Sequence, residues 1–257
     1  MNRSPLVIKL PQKRKITKHN AALFTYLNKT DNNAGKAYLY RVMYKNYTPK
    51  NTAAIYFIQL PLQKTFNSFI KRAIDILFSI VVIATILSWL IPLMAILIKA
   101  GSAGPVFFLQ KRHKQNGAIF TCIKFRSMVV NPLADILPAA VNDKRVTPLG
   151  RFLRKTFIDE LPQFFNVLWG DMSIIGPRPH MLSESLRFEE QVRHYSYREK
   201  IKPGITGLSQ VMGLEGAADN IYKMKARVDM DIFYLRHWSL KLDAIVLYRT
   251  IRKIAGL

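Results

Sequence analysis

Residues 76–98 read Ile-Leu-Phe-Ser-Ile-Val-Val-Ile-Ala-Thr-Ile-Leu-Ser-Trp-Leu-Ile-Pro-Leu-Met-Ala-Ile-Leu-Ile, 23 consecutive positions without a charge. At 1.5 Å per residue a helix of that length crosses a ~30 Å hydrocarbon core, so the chain reads first as membrane-associated. The run is interrupted by Ser88-Trp89-Leu90-Ile91-Pro92. Pro92 lacks an amide and its ring clashes with the preceding turn, so the helix should kink there, and each limb is then too short to span. The flanks carry one sign of charge. Lys64, Lys71 and Arg72 precede the run and Lys99, Lys111 and Arg112 follow it, which under the positive-inside rule places both ends in the cytoplasm. From the residues alone, a re-entrant hairpin over 73–99 and a simple kinked span stand as equal alternatives.

Charge supports the membrane reading. The 257 residues hold 39 Lys and Arg against 16 Asp and Glu, a net charge of +23. Such a chain must live with an anionic partner, either nucleic acid or a membrane surface. Residues 1–72 alone carry 14 basic residues against Asp31, or +13. Basic density peaks just before the apolar run, which favours anionic lipid, and no nucleic acid is expected. The single cysteine, Cys122, rules out an internal disulfide and a multi-cysteine zinc site. The five histidines show no metal-binding spacing, and neither a Walker A loop nor a Gly-x-Gly-x-x-Gly fingerprint occurs. Phosphate, if handled, is handled by another device.

Residues 1–68 form a basic N-terminal extension, rich in Asn, Lys and Tyr, for which partial order at best is expected. The apolar patch at 6–10 is too short for a signal peptide, so the N-terminus is expected to stay unprocessed and cytoplasmic. Residues 53–60 read as a strand bounded by Pro49 and Pro61. Beyond the apolar run, residues 106–109 read as a strand, Asn116-Gly117 as a hairpin turn and 119–125 as the return strand. That strand ends in Lys124-Phe125-Arg126-Ser127-Met128, by itself an ordinary solvated strand end. Residues 131–148, with three prolines, read as a loop over the site.

Residues 156–179 carry the candidate chemistry. Leu161, Phe164, Phe165 and Leu168 fall at helical spacing, so a short helix should run to Trp169 and stop at Gly170, with Asp159 as N-cap and Pro162 in its first turn. Asp159 and Glu160 then stand side by side where the helix dipole favours negative charge. An acidic cap is the plain alternative. Arg151, Arg154 and Lys155 precede the two acids, however, and Arg178 follows between Pro177 and Pro179, its fork matched to phosphate oxygens. Acids ringed by bases suit a metal-assisted reaction on a phosphoanhydride.

These motifs, in this order, resemble the bacterial sugar transferases, the monotopic phosphoglycosyl transferases that start cell-surface polysaccharides on a polyprenyl phosphate. Asp159-Glu160 matches the family's catalytic dyad, and the 124–128 stretch its Lys-Phe-Arg-Ser/Thr-Met motif. The stretches 143–155, and Arg198 with Lys202-Pro203-Gly204-Ile205-Thr206-Gly207, match two more, over about 69–257 in all. The resemblance implies an α+β, membrane-associated catalytic domain at 69–257: a re-entrant helix-break-helix, a small β-hairpin and surface amphipathic helices around the active site. It tips the membrane reading toward the hairpin, although the break departs from the family pattern of Ser followed by Pro, since Pro92 comes four residues after Ser88. The implied activity is transfer of a sugar 1-phosphate from a UDP-sugar to undecaprenyl phosphate, releasing UMP, with Mg²⁺ as cofactor, at the cytoplasmic face of the bacterial inner membrane. Asp159 is the implied nucleophile, Glu160 a metal ligand or proton handler, both are candidate metal ligands, and Lys124, Arg126, Arg154, Arg178 and Arg198 are candidate substrate binders. A non-catalytic basic protein binding membrane or nucleic acid is the competing class, and homo-oligomerisation is left open. The two glycines at 204 and 207 imply close backbone approach or tight turns. A helix over 219–234 and a last helix capped at Ser239 complete the chain, with Tyr234 and Trp238 suited equally to the headgroup level or to the core.

Overall fold

The computed structural model describes residues 60–132, 134, 139–140, 143–216 and 221–256. The basic extension and, save Leu60, the strand expected over 53–60 lie outside the described residues. After a short 3-10 turn, Pro61–Gln63, the chain enters one helical rod, Thr65–Gly101, long and apolar enough by length and composition to cross a membrane. It comprises α1 (Thr65–Val82), a π-helical turn (Ile83–Leu87) and α2 (Ser88–Gly101).

The π turn has a cause and a consequence. Pro92 sits inside α2, and the irregularity lies in the turn before its clash partner Ser88, not at Pro92 where the sequence placed the kink. Carbonyls disturbed there are met by side chains. Thr85 Oγ1 donates to the Val81 carbonyl (2.7 Å), Ser88 Oγ to Ala84 (2.7 Å) and Trp89 Nε1 to Thr85 (2.9 Å). The wide turn also preserves phase. Lys71, Asp75, Ser79 and Val82 are buried, and so are Leu87, Leu90, Met94 and Ile98. The one five-residue step, from Val82 to Leu87, falls on the turn that closes i→i+5, so a single buried stripe runs the length of the rod. The opposite face leaves Leu77, Val81, Trp89, Leu93 and Ile96 exposed.

Both ends of the rod are tied to the rest of the chain. Lys71 pairs with Asp243 (2.7 Å), Arg72 donates to the carbonyls of Val167 (2.5 Å) and Leu168 (2.8 Å), and Asp75 accepts from the Ser173 hydroxyl and the Ile174 amide. At the far end Arg126 donates to the carbonyls of Ser102 (2.7 Å) and Ala103.

Strands β1 (Phe107–His113) and β2 (Ile119–Phe125) form the expected antiparallel hairpin, longer than the sequence suggested, with Phe107 opposite Phe125 and His113 opposite Ile119. Asn116 (φ 60°) and Gly117 (φ 73°) make the turn. Helix α3 (Pro148–Lys155) is capped by Thr147, whose hydroxyl accepts from the Gly150 amide. A Cβ at Gly150 would stand 1.8 Å from the Ser127 carbonyl, so only glycine lets α3 lie against the end of β2.

Phe157 then takes a left-handed conformation (φ 58°), a 3-10 turn follows at Ile158–Glu160, and α4 (Gln163–Trp169) ends at Gly170 (φ 96°). The stop is as expected but the start is not. Pro162 occupies the N-cap of α4, and Asp159 lies in a separate turn before it with no capping bond, because the left-handed step at Phe157 offsets the two acids from the helix. Next come β3 (Ser173–Ile175), α5 (Leu182–Gln191), a 3-10 turn (Tyr195–Lys200), β4 (Gly204–Thr206) parallel to β3, α6 (Leu208–Val211), α7 (Ile221–His237) and α8 (Leu240–Ile254). Ser239 caps α8 as expected. Tyr234 and Trp238 are buried and both donate to Asp243, so they belong to the core and not to the headgroup level. The result is a mixed helix and strand fold with two small sheets and one long apolar helix. Around it, α3 exposes Phe152 and α8 exposes Tyr248, Ile251 and Ile254 beside basic residues.

Candidate active site

The end of β2, the 3-10 turn after α3 and the loop after β3 converge on one cavity of about 750 Å³. β2 delivers Lys124, the turn delivers Asp159 and Glu160, and the loop delivers Arg178, held between two residues of fixed φ. Glu160 is saturated. Its Oε1 accepts from Lys124 Nζ (2.7 Å) and Arg178 Nη2 (2.5 Å), and its Oε2 from Arg178 Nη1 (3.0 Å), a bidentate pair closed by a lysine. Asp159 has no hydrogen-bond partner among the described residues.

Burial does not separate these acids, since they are 7% and 8% exposed. Partners do. Burial raises the Asp159 carboxyl to about 6, and Lys124, Arg154 and Arg178 pull against it without reversing it. Burial would raise Glu160 too, but Arg178 and Lys124 outweigh it and hold that carboxyl well below the usual range. Glu160 in turn raises the Arg178 guanidinium. One acid is thus a permanent anion locked between cations, and the other a carboxylate with both oxygens free near neutral pH, the arrangement that suits a nucleophile.

The remaining candidates divide by position. Arg154 lines the cavity and donates from Nε to Ser127 Oγ (3.1 Å). Arg126 borders it with its guanidinium turned to the end of α2. Arg198 stands behind, 4% exposed. Its Nε donates to Asp231 (3.0 Å), its Nη1 meets His180 Nδ1 (2.6 Å) and its Nη2 donates to the Arg178 carbonyl (2.7 Å). Asp231 also accepts from Ser209 Oγ (2.9 Å). His180 lies among Arg198, Arg227, Arg112 and Arg178, and burial together with those charges lowers it far enough to remain a neutral acceptor. Arg112 donates to the Pro179 carbonyl, so the whole 177–180 loop is gripped from behind. Ser88 and Pro92 lie in the helical rod and do not line the cavity.

Sequence reasoning passed over Arg112, His180, Glu184 and Arg227, which also line it. For Arg227 a signal existed. Arg227 and Asp231 stand four apart in α7 among Met224, Val228 and Ile232, and charges on an otherwise apolar helical face mark a buried network. Arg112 and Glu184 carried none, since basic strands and acidic first turns are common.

The family model for bacterial sugar transferases matches residues 66–256. The UDP-glucose:undecaprenyl-phosphate glucose-1-phosphate transferase of Klebsiella pneumoniae is 43% identical over 188 residues, 73% of this chain and 40% of that protein. The UDP-N-acetylgalactosamine-undecaprenyl-phosphate N-acetylgalactosaminephosphotransferase of Aeromonas hydrophila is 42% identical over 194 residues, 75% of this chain and 45% of that one. The exopolysaccharide production protein PSS of Rhizobium leguminosarum bv. phaseoli is 38% identical over 187 residues, 71% of this chain and 93% of its own length. The chain thus spans less than half the length of the first two relatives and nearly all of the third.

Proposed function

The chain belongs to the bacterial sugar transferase family, and from that premise we propose that it transfers a sugar 1-phosphate from a UDP-sugar to undecaprenyl phosphate, releasing UMP, as the first step of a surface polysaccharide. The observation that carries this is the division of labour between the two acids: Asp159 free and raised to about 6, Glu160 clamped by Lys124 and Arg178. In the proposed reaction an Asp159 oxygen bonds to the β-phosphorus, the bond from that phosphorus to the bridging oxygen breaks, and its electron pair leaves with UMP. The lipid phosphate then attacks the same phosphorus, and the bond to Asp159 breaks to restore the carboxylate. Lys124 and Arg178, fixed by Glu160, face the charge that develops on the phosphoryl oxygens, and Arg154 stands ready on the α3 side.

Mg²⁺ fits this donor set. The ion uses one or two carboxylates plus substrate phosphates and keeps several waters, and Asp159 is the carboxylate with free oxygens, while Glu160 is engaged. When bound, it would neutralise diphosphate charge. The membrane element is read as re-entrant, with both ends on the cytoplasmic face of the inner membrane against anionic lipid. Support comes from the basic flanks and from the ties of both rod ends to the scaffold that carries the catalytic residues. UMP release from a panel of UDP-sugars with undecaprenyl phosphate, by the full chain in a bilayer disc, tests the activity. No release with any donor would end this reading.

A further inference from the structure

Among the described residues four carboxylates line the cavity, and three are accounted for: Asp159 and Glu160 by the chemistry above, and Glu215 by an ion pair with Lys253. The fourth is Glu184. It stands in the first turn of α5, half-buried, and no hydrogen bond or ion pair engages it among the described residues. Its ordinary use in that place would be a capping box, but Met181 holds the N-cap and offers no hydroxyl. Its place is well fixed, since Met181 bridges to Arg112 on β1 and Ser185, the next residue, is buried beside Tyr195. Arg112 and Arg227 stand near enough to feel the charge of Glu184, but their hydrogen bonds go elsewhere: Arg112 to Gln110 and Pro179, Arg227 to the carbonyls of Leu214 (2.8 Å) and Gly216 (2.9 Å).

An ionised carboxylate only accepts hydrogen bonds. The diphosphate of a nucleotide sugar is also acceptor-only and anionic, so Glu184 repels that part of the substrate and must be repaid by another part. The groups of a UDP-sugar that donate in neighbouring pairs are ring hydroxyls. We propose that Glu184 accepts hydrogen bonds from adjacent hydroxyls of a sugar ring of the donor substrate. The proposal rests on the reading that this cavity takes a UDP-sugar. The hydroxyls belong to either the hexose or the ribose, and the two predict different kinetics. A site built to bond a hydroxyl discriminates strongly against an analogue that misplaces it, because a buried polar group is then left unpaired.

The test compares the full chain with Glu184→Gln and Glu184→Ala in bilayer discs, the isosteric glutamine guarding against a packing defect. UMP release is measured with UDP-glucose, UDP-galactose and UDP-N-acetylglucosamine, and inhibition with UDP and 2′-deoxy-UDP. The expected result is a rise of at least tenfold in KM for the preferred donor in Glu184→Ala, with a smaller rise in Glu184→Gln. If the hexose is held, the preference between UDP-glucose and UDP-galactose collapses while inhibition by UDP is unchanged. If the ribose is held, UDP inhibits the variants correspondingly less, while 2′-deoxy-UDP inhibits all three proteins alike. KM, donor preference and UDP inhibition all within twofold in both variants would overturn the proposal, leaving Glu184 as a charge that balances Arg112 and Arg227. An unmodified chain inactive with every donor would instead remove the functional reading beneath it.

Discussion

Arg198 Nη2 donates to the carbonyl of Arg178 across 2.7 Å, so one buried guanidinium holds the backbone of the guanidinium that grips Glu160. The fork of Arg198 reaches Asp231, His180 and Arg178 at once, and a lysine cannot reproduce that geometry. Arg198→Lys is therefore expected to fold and to lower kcat by about 10–100-fold, since a 1 Å error in a positioned group costs about that much. KM for the UDP-sugar should change little. A kcat near normal with a raised KM would mean that Arg198 contacts the substrate itself. Asp231→Asn leaves a buried arginine uncompensated and should cost about 3–5 kcal/mol of stability, read as earlier denaturant unfolding.

Much of the site was legible in the sequence because it is local. Asp159, Glu160 and Arg178 lie within 20 positions of one another, and Pro177 and Pro179 announce the orientation of the arginine between them. The apolar run and its basic flanks were legible for the same reason. The partition between the two acids was not, since Lys124 approaches Glu160 from 36 residues away in sequence and only folding assigns it to one neighbour. The polar stripe of Lys71, Asp75 and Ser79 was also hidden. Charges at the mouth of an apolar helix read as an interfacial flank, and their use depends on Asp243 and Ser173 far along the chain.

Gly204 supplies a sharper test of the second sheet. Its backbone approaches Gly176 so closely that a Cβ would stand 2.1 Å from the Gly176 nitrogen and 2.4 Å from the Thr206 carbonyl, both backbone atoms that cannot swing away. The close approach anticipated from the glycines is thus made to the loop carrying Arg178, not to a ligand. Gly204→Ala should separate β3 from β4 and cost about 3 kcal/mol or more. Gly101→Ala, where nothing lies within 4 Å of the added carbon, is the neutral control. Equal unfolding midpoints for the two variants would contradict the packing described here.

The topology prediction uses the native cysteine to advantage. Cys122 is fully buried and free, so the chain needs no cysteine removed before labelling. Ser68 and Lys99 are exposed at the two ends of the rod. Ser68→Cys and Lys99→Cys are both expected to react with an impermeant maleimide only in inverted vesicles, where the cytoplasmic face is outward. Labelling of the two from opposite sides would establish a spanning helix. Pro92→Leu should remove the clash with the carbonyl four residues back and push the rod toward that outcome.

The last prediction concerns the cost of keeping Asp159 reactive. Burial raises its carboxyl from 3.8 to about 6, so the folded chain binds this proton more tightly than the unfolded chain does. The protonated acid therefore favours folding, an advantage complete below pH 3.8 and lost as pH rises through about 6. At pH 8, in chelator, the ionised side chain should burden the fold by on the order of 3 kcal/mol. Asn carries no such charge. Asp159→Asn should accordingly be more stable than the unmodified chain at pH 8, with the difference shrinking between pH 6 and 4, when unfolding is followed by denaturant titration. The same variant should release no UMP, and the unmodified enzyme should lose activity about tenfold per pH unit below 6 as its nucleophile is protonated. Incubated with UDP-sugar and no lipid acceptor, the unmodified chain should gain the mass of a sugar phosphate on a peptide containing residue 159. An Asp159→Asn protein that is less stable at pH 8 yet still releases UMP, with no adduct on the unmodified chain, would return Asp159 to a structural role.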